Sequence, residues 1–277
     1  MSDATPGTAT AAPQGGAPTV PGRPTAPGLG PRPFGAIVGS TARSILGRRR
    51  TLLVLLFLAV PILLALLARS LPGAEGQQEA VIRILDSLVV RVVLPLVALL
   101  IGTAVIGAEV DDGTIVFLLV NPVARWEIIA AKLLVAEAVT LVLVVPVTAL
   151  TGAILVAGEP SVSSSIAGGF AAGVAIGAAV YVAIFLAMSV VTSRALVLGL
   201  GYVLIWEGFL ASLFAGTRNL SVREYTLSIA QQVAGVDLAA GQAIAFELAA
   251  VMSIVVSVTA VAIAIRRLAG FSIAGGG

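Results

Sequence analysis

Four ionisable residues stand inside otherwise apolar runs: Arg91, Glu137, Glu207 and Glu247. At the centre of a membrane helix such a side chain costs about 2.5–3.5 kcal/mol, so each must be compensated or put to use. The acids could line a polar route or relay protons, and the same set could instead be structural ion pairs that fix helix positions. Glu137 lies about 8 Å along a helix from Lys132, near one end of its run, and the other three fall toward the opposite end. Arg91 is therefore expected to pair with Glu207 or Glu247, the acids at comparable depth in other runs.

Other chemistry is largely excluded. The sequence has no His and no Cys, which rules out His-ligated metal, thiolate nucleophiles and disulfides. Asp111 and Asp112 are adjacent carboxylates, but at a loop edge such a pair more often favours a helix dipole than holds a metal. There is no Gly-x-x-x-x-Gly-Lys-[Ser/Thr] to cradle a nucleotide. Gly-x-Ser-x-Gly, His-Glu-x-x-His and a paired-Asp intramembrane protease pattern are also missing. No catalytic group, cofactor, metal or nucleic-acid partner is expected.

The elements that carry these residues belong in a bilayer. Hydrophobic residues make up 58% of the chain, charged residues 11%, and the mean hydropathy is +1.09. A soluble domain carries roughly a quarter charged residues. Six apolar runs, at residues 51–68, 88–107, 133–157, 166–191, 195–215 and 242–265, are each near the roughly 20 residues that cross a hydrocarbon core. Their continuous apolarity lacks the polar-in alternation of a closed barrel. Pro61, Pro95 and Pro146 should each kink a helix, since proline removes a backbone donor. Gly169, Gly173 and Gly177 form a small-xxx-small row suited to close packing, within the chain or between subunits.

Outside the runs, residues 1–33 are rich in Pro, Ala, Gly and Thr and should form a disordered cytoplasmic tail. A charged n-region followed by an apolar stretch is lacking there, so a signal peptide is not expected. Residues 34–50 place Phe34, Ile37, Val38, Ala42, Ile45 and Leu46 at helical spacing among arginines. That pattern predicts an amphipathic interfacial helix, or else a cytoplasmic helical stub. Residues 51–270 would be the six-helix transmembrane domain and 271–277 a C-terminal tail. With the N-terminus inside, eleven of the sixteen basic residues fall on the cytoplasmic side, which predicts that both termini are cytoplasmic. The longest outer loop, residues 216–241, has Val222, Tyr225, Ile229, Val233 and Val236 at near-helical spacing, as a helix that either dips into the bundle or lies on the outer leaflet.

The longest polar interruption between runs is residues 109–132. Gly113 and Asn121-Pro122 are turn signals that bracket a short apolar stretch, which predicts a helix of about two turns or a plain connecting loop. Glu109, Gly113, Thr114, Pro122, Val123, Arg125 and Lys132 together resemble the first cytoplasmic loop of ABC-2-type exporter permeases. Asn121 and Ala124 depart from that pattern, standing where the family more often has Ser. The six-run layout extends the resemblance over most of the chain.

That resemblance implies an all-α membrane protein of six transmembrane helices with an N-terminal interfacial helix, in a bacterial cytoplasmic membrane. It implies a permease that performs no chemistry itself and exports a substrate when docked on a separate ABC ATPase, in two copies, with a second permease subunit. Glu109, Gly113, Thr114, Pro122, Val123, Arg125, Glu127 and Lys132 would form the ATPase-coupling loop, and the outer loop would cap the transport path. A proton-coupled transporter using Glu137, Glu207 and Glu247, and a non-transporting membrane scaffold or immunity protein, are the competing classes.

Overall fold

The computed structural model describes residues 48–70, 77–111, 125–157, 163–211, 217–238 and 243–270. The expected N-terminal tail and interfacial helix, the central part of the 109–132 loop and the C-terminal tail therefore lie outside the described residues, apart from Arg48 to Arg50, which open the first helix.

Among the described residues the chain is all helical, because long apolar runs can satisfy their backbone groups inside a bilayer only within themselves. Helix α1 spans Arg48–Ser70. The second run is composite: α2 (Gln77–Ile84), a π-helical stretch (Leu85–Val93) and α3 (Leu94–Asp111) follow without a break. Pro95 stands where the π register returns to α, at a point where a residue without an N–H is easily placed. Helix α4 (Arg125–Val156) contains Pro146, and α5 (Ser165–Val191) is the central element. Phe170, Val174, Ala178, Tyr181, Phe185 and Leu186 on α5 are fully buried, with α3, α4 and two later helices packed around them. Tyr181 stacks on Phe185 with ring centroids 5.8 Å apart.

Among the described residues, five helices are long and apolar enough to cross a membrane: Thr51–Ser70, Gln78–Ile106, Trp126–Val156, Ser165–Val191 and Phe246–Leu268. Of the fifth expected run, residues 195–215, the described part reaches Ala211. Helix α6 (Ala195–Gly201) passes into a second π-helical stretch (Tyr202–Leu210), and together they form a continuous apolar helix. A 3-10 turn (Thr217–Leu220) and helix α7 (Val222–Ala234) come next, then α8 (Phe246–Gly270).

Helix α7 packs along α5 in the opposite sense. Ser165 Oγ donates to the Ala234 carbonyl (2.7 Å), while Gly177, twelve residues further along α5, faces Thr226. Thr226 thus sits roughly 18 Å below the Ser165 end of α5, and the N-terminus of α7, one turn further on, roughly 24 Å below it. The glycine row makes this possible. A Cβ at Gly169 or Gly173 would run into the α7 backbone carbonyls of Ala230 and Thr226, and one at Gly177 into the Thr226 hydroxyl. The row is therefore an intrachain seam.

Helix ends gather at two levels. At one, the Arg69 guanidinium donates to the carbonyls of Ile154 (2.8 Å) and Ala157, near Ser165 and Ala234. At the other, the Lys132 ammonium donates to the Val105 carbonyl (2.8 Å), and the short Thr192-Ser193-Arg194 turn joins α5 to α6. The Arg69 level is the one assigned outside by the distribution of basic residues, and the Lys132 level the one assigned inside.

Candidate functional site

A polar chamber lies inside the apolar bundle, and three local features build it. The first two are the π-helical stretches, which carry Asp86 and Arg91 in one and Tyr202 and Glu207 in the other. Such stretches are rare and recur at functional sites, because the widened turn re-aims side chains. The third is the start of α7, where Ser221 caps the helix at the head of a Ser-x-x-Glu sequence. The Ser221 hydroxyl accepts from the Glu224 N–H at 3.4 Å and presents Glu224 in the first turn.

Glu207 is buried and closes the N-terminus of α7. Its carboxylate accepts from Ser221 Oγ (2.6 Å), the Val222 N–H (2.8 Å) and the Tyr202 hydroxyl (3.2 Å). A carboxylate is favoured there by the unpaired N–H groups and the positive end of the helix dipole. Asp86 receives both Nε (3.1 Å) and Nη2 (2.7 Å) of Arg223, a bidentate grip across two elements. Glu224 is held from two sides, by Arg223 Nη1 (2.7 Å) and Arg218 Nη2 (3.1 Å). Glu207, Arg218, Ser221, Arg223 and Glu224, with Arg91 and Ala211, line a cavity of about 210 Å³, and Asp86 stands behind Arg223.

Arg91 does not pair as its position in the sequence suggested. Its nearest acid is Asp86, with Nη2 to Oδ2 at 3.8 Å, and its side chain is 47% exposed. Glu207 lines the same cavity but is already committed to α7. Glu247 lies exposed on the first turn of α8, and Glu137 is half-buried on α4. Among the described residues, no hydrogen bond or ion pair links Glu137, Glu207 and Glu247 into a relay. Asp86, Arg218, Ser221, Arg223 and Glu224 were missed as site residues. The Ser-x-x-Glu capping spacing at Ser221 was the available signal.

A second cavity, about 460 Å³, is almost wholly apolar and lies between α5, α6 and α8, lined by Ile184, Met188, Leu198, Val255, Thr259 and Ile263.

The opposite level carries what is described of the 109–132 loop. Lys132 is 2% exposed, and its bond to Val105 ties the start of α4 to α3, the two helices that flank the loop. Trp126 and Glu127 are exposed on the first turn of α4. Gly113, Thr114, Pro122 and Val123 lie outside the described residues. Glu109 and Arg125 lie on α3 and α4, and their side chains are not described.

Residues 47–213 match the model of a family described as ABC-2 family transporter protein, which is well over half of the chain. The chain belongs to the ABC-2 transporter family. No curated protein matches it. The ABC-2 match takes in the first four long helices, the loop between α3 and α4, both π-helical stretches and Glu207. It stops before Arg218, Ser221, Arg223 and Glu224, so the chamber is built half inside and half outside the matched segment. ABC-2 proteins are membrane transport components and not themselves catalytic, and the five long apolar helices make this one a multi-pass membrane protein.

Proposed function

We propose that the chain is the permease subunit of an ATP-driven ABC-2 exporter in a bacterial cytoplasmic membrane. It would act as a pair with a second permease subunit and dock on two separate ATPase subunits through residues 109–132. Both termini are read as cytoplasmic. The fifth crossing expected from the sequence is then read as made in two pieces, Ala195–Leu210 from the inside and Val222–Ala234 continuing outward. Discontinuous helices of this kind occur in transporters where the break lines a cavity.

The observation that carries the coupling role is the buried Lys132–Val105 bond. A force applied to the loop by a closing ATPase reaches α3 and α4 together, because the helices are joined just above it. Exposed Trp126 and Glu127 supply an apolar and a charged contact at the same level.

Reversing both charges (Arg125→Glu with Glu127→Arg) tests this. The double variant should insert and stay monodisperse in detergent, yet lose ATPase co-purification and substrate-stimulated ATP hydrolysis. Normal ATPase recovery and turnover would reduce the loop to a connector.

A further inference from the structure

We propose that the chamber between the two π-helical stretches binds the anionic headgroup of an amphiphile, a phosphate or a carboxylate, with Arg91 as its principal contact. The argument is one of vacant donors. All four carboxylate oxygens lining the chamber, and both of Asp86 behind Arg223, already accept hydrogen bonds: those of Asp86 from Arg223, those of Glu224 from Arg223 and Arg218, and those of Glu207 from Ser221, Val222 and Tyr202. A cationic ligand would have to compete for every one of them. Arg91 is in the reverse position, 3.8 Å from an oxygen that Arg223 already holds at 2.7 Å, with its side chain 47% exposed at the cavity. A guanidinium offers five N–H groups in a fork that fits an oxyanion.

Size and surroundings narrow the class. A volume of about 210 Å³ admits one headgroup and excludes a polymer. Arg91 lies about 20 Å along its helical run from Gln77, within the apolar span Gln78–Ile106. Exposed apolar side chains flank the chamber, Val92 beside Arg91 and Phe209 beyond Glu207. Those surfaces suit a hydrocarbon tail while the headgroup turns inward. Only the naming of such an amphiphile as transport cargo rests on the exporter reading.

Trp206 reports on the site, since its indole N–H faces the Leu220 carbonyl (3.4 Å) one residue from Glu207. With Trp126→Phe it is the sole indole of the chain. The isolated permease, in nanodiscs of phosphatidylcholine, is titrated with doxyl-labelled phosphatidic acid or doxyl-labelled phosphatidylcholine, and Trp206 quenching is read. Phosphatidic acid should quench at about tenfold lower mole fraction, equivalent to about 1.4 kcal/mol. Arg91→Gln should erase that preference and Arg91→Lys should keep part of it. Equal quenching by the two lipids in the unsubstituted chamber overturns the proposal without any variant, as does an undiminished preference in folded Arg91→Gln. Relief of quenching by millimolar inorganic phosphate would overturn the lipid source and assign the site to a soluble anion. No ATPase is present in this measurement, so it fails or succeeds independently of the loop charge reversal.

Discussion

Arg223 bridges Asp86 on one helical run and Glu224 on another, and its side chain is only 18% exposed. Removing one member of a buried ion pair leaves the others uncompensated and costs about 3–5 kcal/mol. Arg223→Gln should therefore sharply reduce the monodisperse fraction on size exclusion in detergent, and adding Asp86→Asn should restore part of it. Arg91→Gln should be far milder, because its ion pair is long and half exposed. From sequence, Arg91 and Glu207 stood out because they interrupt apolar runs, and both do reach the chamber. Their partners were not legible. Arg218, Arg223 and Glu224 sit in the 216–241 stretch, which reads as a helix either dipping into the bundle or lying on the outer leaflet, and nothing local decides between the two or says what these charges meet.

At the scale of elements, α7 shows why burial and apolarity are different properties. Val222, Glu224, Tyr225, Thr226, Leu227, Ser228, Ile229 and Ala230 are all buried, although the helix carries little of the composition of a span. Val233, which continues the apolar spacing, is instead 54% exposed. The helix is buried on most sides by protein, so a single stripe neither describes nor predicts it. Gly235, with φ of 66°, ends it in the left-handed conformation that glycine adopts without a Cβ penalty. The seam with α5 is testable. Gly173→Val places side-chain atoms where the Thr226 carbonyl and Ala230 lie, with no flexible side chain able to yield. Overpacking of this sort costs about 1–3 kcal/mol, so the thermal midpoint in detergent should fall, whereas Gly168→Val, with open space around it, should leave it nearly unchanged. The long spans were legible because a bilayer demands continuous apolarity. The π-helical stretches were not, since the side chains of Leu85–Val93 and Tyr202–Leu210 suit an α-helix equally well.

At the scale of the molecule, the inside and outside levels rest on the distribution of basic residues and can be read directly in this Cys-free chain. Ser163→Cys should react with an impermeant maleimide in intact cells, and Ser193→Cys only after permeabilisation. The opposite pattern would invert the topology. The half-exposed Arg91 also has a consequence for the lipid around it. It stands within the apolar span Gln78–Ile106 with 47% of its side chain exposed, next to exposed, apolar Val92. Bilayers answer a charge exposed at such a position by thinning locally and letting water in. The leaflet beside the chamber should dip at Arg91, carrying water and headgroups toward it and forming a dimple in the membrane at the chamber's edge.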